Sequence, residues 1–261
     1  MRSDAIWNLA RRGLAALACV ALLGLLLPRA WAGQHALSPA QADAVQQIVR
    51  EYLINNPEVI LEAIEALKRR EQVGAEARVQ RVLQERRDEL INDPESPVGG
   101  NPQGDVTLVE FFDYRCPYCK RVHPSIQALL QEDRNLRFVY KEWPILGTES
   151  VFAARVALAA RAQGKYHAVH AALMDMRSTL TEGAVFAAAK SAGLDIDQLK
   201  RDIAAQKENA DASFARTSNL AAALDIHGTP AFVVGDLVIP GAIGMEDLKK
   251  AIAEVRSRRK R

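Results

Sequence analysis

A seven-residue apolar run, VTLVEFF at 106–112, leads within four residues into Cys116-Pro117-Tyr118-Cys119, and a second run, LRFVYKE, follows at 136–142. Both runs predict buried strands. Residues 118–131 between them predict a helix, so about 37 residues spell strand, helix, strand: a βαβ unit with parallel strands. The cysteine pair therefore stands at a strand-to-helix junction. There the first cysteine meets unpaired backbone N–H groups and the positive end of the helix dipole. Both favour a thiolate and can bring the thiol from ~8.5 into the ~3.5–7.5 range.

Cys119, one turn on, is close enough to attack a mixed disulfide formed on Cys116. Pro117 suits the first helical turn, where its missing N–H is no loss. The reading is Cys116 as the exposed nucleophile and Cys119 as the more buried resolving thiol. Tyr118 adds no positive charge, which points to a milder oxidant than a histidine there would give. Arg115, Lys120 and Arg121 read as solvent-facing cations. Two other uses of the pair stay open. A structural Cys116–Cys119 disulfide would close too small a loop to gain much. Zinc on Cys116, Cys119 and His123 would lack a fourth ligand. His167 and His170 read as polar-face residues, and His35 and His227 carry no motif. The carboxylates show no acid–base pair.

The N-terminus indicates the compartment. Arg2, Arg11 and Arg12 precede an apolar run from Leu14 to Leu27, and Ala30-Trp31-Ala32 follows. That pattern predicts a signal peptide over 1–32, cleaved near Ala32, and export to the periplasm. The run is shorter than the ~20 residues that span a bilayer. Cleavage removes Cys19, leaving Cys116 and Cys119 alone. It also removes four arginines and one aspartate, taking the formal charge from +2 to −1. A nearly neutral chain leaves no nucleic-acid footprint. In an oxidising compartment disulfides persist, yet a chain this long needs no staple, so a lone pair points to chemistry.

Residues 33–91 form a charge-rich helical arm. Ser38-Pro39-Ala40-Gln41 predicts a capping-box start. Val45, Ile48, Val49, Tyr52 and Leu53 recur at helical spacing, and Ile60, Ile64 and Leu67 follow beyond Asn55-Asn56-Pro57. After Lys68 the arm is too polar to fold alone. It is expected to pair with other copies, making the chain a homo-oligomer through residues 38–91, or to stand as a solvated stalk. Residues 92–105, rich in proline and glycine, read as a linker. The main domain is placed at 106–257, with a helical block at about 148–225, strands at 231–235 and 237–240, and a closing helix from Met245. The basic tail 258–261 is a solvated end. Thr229-Pro230 precedes the strand at 231, where a proline cannot donate to the ladder. From these residues alone a trans turn is favoured over a cis bond presenting the Thr229 backbone to a substrate.

FFDYRCPYC, the helical block and GTPAFVVG together resemble the DsbA-type branch of the thioredoxin superfamily, over about residues 96–257. The arm, especially REYLINNPEVILEAIEAL, is similar to the N-terminal region of ScsC-like and Com1-like proteins. The resemblance implies an α/β thioredoxin fold with an inserted helical domain, preceded by an all-helical arm. It implies an active Cys116–Cys119 pair, support from Pro117, Tyr118, Thr229 and a cis Pro230, and no cofactor or metal beyond the redox pair. Pro-Tyr between the cysteines, threonine before the proline and an oligomerising arm are similar to periplasmic isomerases. The expected function is thus a disulfide isomerase or reductase acting on exported cysteine-containing proteins and kept reduced by a DsbD- or ScsB-type membrane partner. The alternatives are a dithiol oxidase served by a DsbB-type partner, or a copper-sequestering thiol protein, since soft thiolates suit Cu(I).

Overall fold

The structure, a computed structural model, describes residues 37–258. These fall into two units that divide between Lys68 and Arg69.

In the first unit, helix α1 (Pro39–Asn55) opens on the expected capping box. Ser38 accepts from the Gln41 N–H, and Gln41 returns the bond to the Ser38 N–H. Helix α2 (Glu58–Glu85) begins here and runs on into the second unit. No residue of α1 is buried. Ile48, Tyr52, Ile54, Leu61, Ile64 and Leu67 are all exposed.

The second unit is built on a five-stranded sheet in the order β1-β3-β2-β4-β5, with β1 Val98–Gly100, β2 Val106–Phe112, β3 Leu136–Glu142, β4 Ala231–Val234 and β5 Leu237–Pro240. β2 and β3 are parallel, as a crossover through helix α4 (Pro117–Glu132) demands, and every other pairing is antiparallel. Side chains alternate across a strand. Val106, Leu108 and Phe112 of β2 join Leu136, Phe138 and Tyr140 of β3 in a core shared with α4, the helical block and the closing helix α9 (Met245–Arg258). Val109, Phe111 and Val139 face the other way, into a smaller core. The same alternation puts Glu110 on the α4 side, in step with Leu108 and Phe112. The helical block is α5 (Thr148–Ala159), a 3₁₀ turn (Ala160–Gln163), α6 (Tyr166–Asp175), α7 (Glu182–Ser191) and α8 (Ile196–Ala223).

Two expectations are corrected here. The stretch 92–105 is not wholly a linker, because β1 lies inside it as an edge strand on β3. Its glycine permits this: a side chain at Gly99 would press on the Tyr140 ring at 3.0 Å. The polar end of the arm is neither a bare stalk nor dependent on another copy. Val79, Val82 and Leu83 of α2, with Leu90 of α3 (Arg87–Ile91), cover the smaller core. A buried lysine fastens this cover. Lys141 projects from β3 opposite to Tyr140 and donates to Glu89 O at 2.6 Å and Ser96 Oγ at 2.9 Å, with Asp93 3.4 Å away. The predicted signal peptide and His35 lie outside the described residues, as does most of the basic tail. Among the described residues no helix is long and apolar enough to cross a membrane.

Candidate active site

Cys116 is the N-cap of α4, in extended conformation, with Pro117 at the first helical position. Strand β2 delivers the chain to this point. Residues Asp113–Arg115 then turn it, closed by the Cys116 N–H donating to Asp113 O at 3.1 Å. On the far side, the Thr229–Pro230 bond is cis, and β4 begins at the next residue, with Ala231 paired to Phe111. Two segments 113 residues apart thereby meet: the Cys116 Sγ lies 3.1 Å from Thr229 O. The sequence-predicted Cys116, Pro117, Tyr118, Cys119, Thr229 and Pro230 converge on one spot.

Cys116 was expected to be exposed, and that is corrected: it is only 3% exposed, because Thr229 roofs it, while Cys119 is 0% exposed. Among the three cations, Lys120 and Arg115 are engaged rather than free. Lys120 Nζ donates to Leu173 O at 2.6 Å and Met176 O at 2.8 Å, tying the redox helix to the end of α6. Arg115 Nη1 donates to Leu146 O and pairs with Glu149 at 3.0 Å. Arg121 stacks over the Tyr118 ring, 5.0 Å from its centre.

The two sulfurs differ sharply in acidity. The Cys119 S–H donates to the Cys116 sulfur and, against burial, brings the Cys116 thiol down to about 6. The Thr229 side chain and the N–H groups of Cys119 and Tyr118 assist. These N–H groups are the unpaired donors of a helix start. Cys119 moves the other way, far above the ordinary thiol range, chiefly through burial and also through its role as donor to Cys116 and the nearby Glu110 charge. One thiolate and one thiol result, as dithiol exchange requires.

Sequence reasoning missed the buried ionisable groups beneath the pair. Glu110 is fully enclosed. Burial, and then the Cys116 charge, pushes its carboxyl up to about 8. Glu142 Oε1 accepts from the Tyr114 hydroxyl at 2.7 Å and the Tyr166 hydroxyl at 2.9 Å, while its Oε2 has no partner. Burial raises Glu142 to about 8 as well, against those two donors. His170 is not a polar-face residue. It is buried, 3.1 Å from the Tyr114 hydroxyl, and its ring sits against Phe112 and His123. Burial holds it well below the usual imidazole range. The signal was present: an acid inside an otherwise apolar central strand faces the core by alternation. Among the described residues no group of three or more His, Cys, Asp or Glu is placed to hold a metal.

Comparison with known proteins agrees with this geometry. Residues 107–253 match the DSBA-like thioredoxin domain, and residues 41–72 match the N-terminal domain of the copper resistance protein ScsC. A thioredoxin-like oxidoreductase from Silicibacter pomeroyi DSS-3 is 51% identical, covering 66% of this chain and 98% of its own, with TM-score 0.63. ScsC from Proteus mirabilis, solved in a transitional conformation, is 30% identical over 87% of this chain and 100% of its own, with TM-score 0.62. A periplasmic thioredoxin-like protein from Salmonella enterica serovar Typhimurium is 31% identical, covering 66% of this chain and 95% of its own, with TM-score 0.58. The chain also matches curated relatives of which it spans about a quarter. The Na(+)/H(+) antiporter NhaA 1 of Salinispora arenicola is 28% identical over 157 residues, 59% of this chain and 24% of its own. On its cysteine geometry, its sheet and these matches, the chain belongs to the DSBA-like thioredoxin family of thiol–disulfide oxidoreductases.

Proposed function

We propose that the chain is an exported protein-disulfide isomerase and reductase acting through Cys116 and Cys119. One observation carries this reading: an acidified sulfur at a helix start, 3.1 Å from the carbonyl preceding a cis proline, with a protonated thiol one turn deeper. The Cys116 thiolate attacks one sulfur of a substrate disulfide. A mixed disulfide forms and the other substrate sulfur leaves as thiolate.

In a reductase turn, Cys119 then loses its proton and attacks the Cys116 sulfur. The Cys116–Cys119 disulfide forms, the second substrate thiolate leaves, and two electrons have passed to the substrate. Glu110 is the acceptor for the Cys119 proton. Its raised pKa owes part of its height to the Cys116 thiolate, and that charge vanishes in the mixed disulfide. Glu110 thus becomes easier to ionise at the step that needs a base. In an isomerase turn, a substrate thiolate attacks the mixed disulfide instead, and Cys116 leaves unchanged with no net electron transfer. A membrane dithiol partner of DsbD or ScsB type restores the reduced pair after each reductase turn.

Export rests on the N-terminal pattern and fits the periplasmic Salmonella relative. Self-association through residues 38–91 rests on the exposed apolar side chains of α1 and the start of α2. Reduction of insulin together with reactivation of scrambled ribonuclease is the expected result. Activity confined to oxidising fully reduced ribonuclease would overturn the isomerase reading in favour of a dithiol oxidase. A second reading, capture of Cu(I) by the two thiolates, is favoured by the description of the N-terminal match. Titrating the reduced protein with Cu(I) separates the two, because stoichiometric tight binding is expected only of the copper reading.

A further inference from the structure

Two cations project from one face of β3, and the protein treats them differently. Alternation puts Arg137 and Lys141 on the face that carries Val139. Lys141 is enclosed and engaged by Glu89 O, Ser96 Oγ and Asp93. Arg137 is half-buried, yet among the described residues no carboxylate, carbonyl or hydroxyl bonds its guanidinium. A partly desolvated charge without a partner is unfavourable, and an arginine does not escape by losing its proton.

Arg137 lines a cleft of about 480 Å³ at the edge of the sheet, bounded by the chain before β1 and by the start of α6. That volume lies in the ~300–1,000 Å³ range of small-molecule sites. Its walls are held by bonds of their own. Arg161 donates to Pro94 O at 2.8 Å and to Glu95 O and Glu95 Oε2 at 3.1 Å each. Asp93 also lines the cleft, but its carboxylate is occupied. It accepts from the Glu95 N–H at 3.0 Å and Ser96 Oγ at 3.2 Å, and lies 3.4 Å from Lys141 and 3.6 Å from Arg216. The Tyr166 hydroxyl is committed to Glu142, so Tyr166, like Pro97 and Val98, offers the cleft apolar surface. The His167 ring is bonded to the Val98 backbone. Arg137, Arg161, Lys141 and Arg216 thus outnumber Asp93 and Glu95, and among the described residues Arg137 is the lining charge left without a partner.

We infer that this cleft is a second binding site, for a small organic oxyanion whose carboxylate or phosphate group is held by the Arg137 guanidinium. The planar fork of an arginine matches either group through two parallel N–H···O bonds. The volume and the apolar wall suit an anion carrying a short carbon skeleton rather than a bare ion. The cleft is separate from the sulfurs. Arg137 pairs with Thr107 near the start of β2, about 16 Å by strand rise from Phe112 at its end, and Cys116 lies beyond that end. A guest here leaves Cys116 free, and the site does not rest on the thiol–disulfide reading above. It touches β3, the chain before β1 and α6 at once, so a bound guest joins the sheet to the helical block.

The test titrates the full chain with glycerol 3-phosphate and, separately, with succinate, at fixed ionic strength in sodium chloride, by calorimetry. Saturable one-to-one binding of one or both is expected, and the tighter probe tells phosphate from carboxylate. Arg137→Gln should weaken that binding at least about tenfold, the lower end of what a charged hydrogen bond supplies. Without a probe the variant should melt no lower than wild type, since Arg137 has no partner to lose, and this shows that it is folded. In the wild type, phenylglyoxal modification of Arg137, followed by peptide mass, should be slowed by the same probe. No saturable binding of either probe, or equal binding by Arg137→Gln, overturns the site. Modification of Arg137 at an unchanged rate overturns it as well, whether or not the variant folds.

Discussion

The two units solve opposite problems with their surfaces. The arm leaves apolar side chains in water: α1 buries no residue, and Ile48, Ile54, Leu61 and Ile64 stand exposed. The second unit does the reverse and draws ionisable groups inside, with Glu110, Asp113, His123, Lys141, Glu142 and His170 all buried. Each arrangement is unfavourable taken alone. Exposed apolar area forfeits about 25 cal/mol per Å², and a buried charge costs several kcal/mol unless partnered or neutralised. The contrast separates two kinds of surface: the arm's exposed apolar side chains are the ground of the self-association proposed above, whereas the buried ionisable groups find their partners within the second unit.

The comparison breaks first at the sulfur. Cys116→Ser should remove at least about a thousandfold of insulin reduction, since Cys119, the other thiol among the described residues, is fully buried and out of reach of a substrate disulfide. Cys119→Ser should instead accumulate mixed disulfide with substrate, visible as a mass adduct on a non-reducing gel. Alkylation of Cys116 should be half-maximal near its lowered value of about 6. A Cys116 half-point at 8 or above would remove the premise that the helix start and its neighbours prepare this thiol. In the reduced chain the lowered Cys116 pKa adds stability as pH rises from about 6 toward the ordinary thiol value of 9, and that gain is lost as pH falls back through 6.

Glu110→Gln comes next. Loss of the proton acceptor should slow the resolving step by about a hundredfold near pH 7, the scale of general-base effects, while the first attack by Cys116 changes little. Stability should move in the opposite direction. Glu110 holds its proton more tightly folded than unfolded, so between about pH 4.5 and 8 the unfolded chain is the more ionised. Wild-type stability therefore falls across that window by about 1.4 kcal/mol per pH unit for this one group. The glutamine variant loses that slope and should melt higher than wild type at pH 8. A variant equally slow in both steps would mean Glu110 is scaffolding.

The arm is tested by making its surface polar. Ile48→Lys with Ile64→Lys should lower the mass in solution to that of one chain. Scrambled ribonuclease reactivation should drop about tenfold, as expected when joined binding modules are separated, and insulin reduction should be nearly unchanged. An unaltered mass would leave the exposed residues of α1 and α2 without their proposed partner.

Much of the fold was legible because strands and helices announce themselves by period. VTLVEFF and LRFVYKE gave β2 and β3, their order gave the parallel crossover, and Ser38 to Gln41 gave the start of α1. The cysteine pair and Thr229-Pro230 could be named because their residue types are rare in those positions. What stayed hidden was long-range. Nothing local says that Thr229 roofs Cys116, or that Val98–Gly100 adds to an edge inside a stretch composed like a linker. Lys141 and Glu142 are adjacent, yet alternation sends one to Asp93 and the other to Tyr114 and Tyr166. Glu110 could have been found by counting: it shares a face with Leu108 and Phe112 in a strand already read as buried.

Glu142 offers the smallest and sharpest contrast, because it is buried like Glu110 but does not share the sulfurs' surroundings. The neutral and charged groups that influence it are Tyr114, Tyr166, Asp113 and Glu110. A glutamine keeps an Oε1 to accept from Tyr114 and Tyr166 and places an amide where Oε2 has no partner. At pH 5 the protonated wild-type carboxyl leaves one O–H unpaired at Oε2 whereas the amide leaves two N–H groups unpaired, and the added one costs about 1–3 kcal/mol, so Glu142→Gln should melt below wild type at pH 5. The raised carboxyl, at about 8, makes wild-type stability decline as pH rises from about 4.5 to 8. The deficit should shrink across that range and reverse near its top. Both redox steps should stay within about twofold of wild type, the expectation for a change with no contact to the reacting atoms. If the resolving step slowed as it does for Glu110→Gln, the two carboxyls would be one proton store serving Cys119, and the line between chemistry and scaffold would have to be redrawn around both.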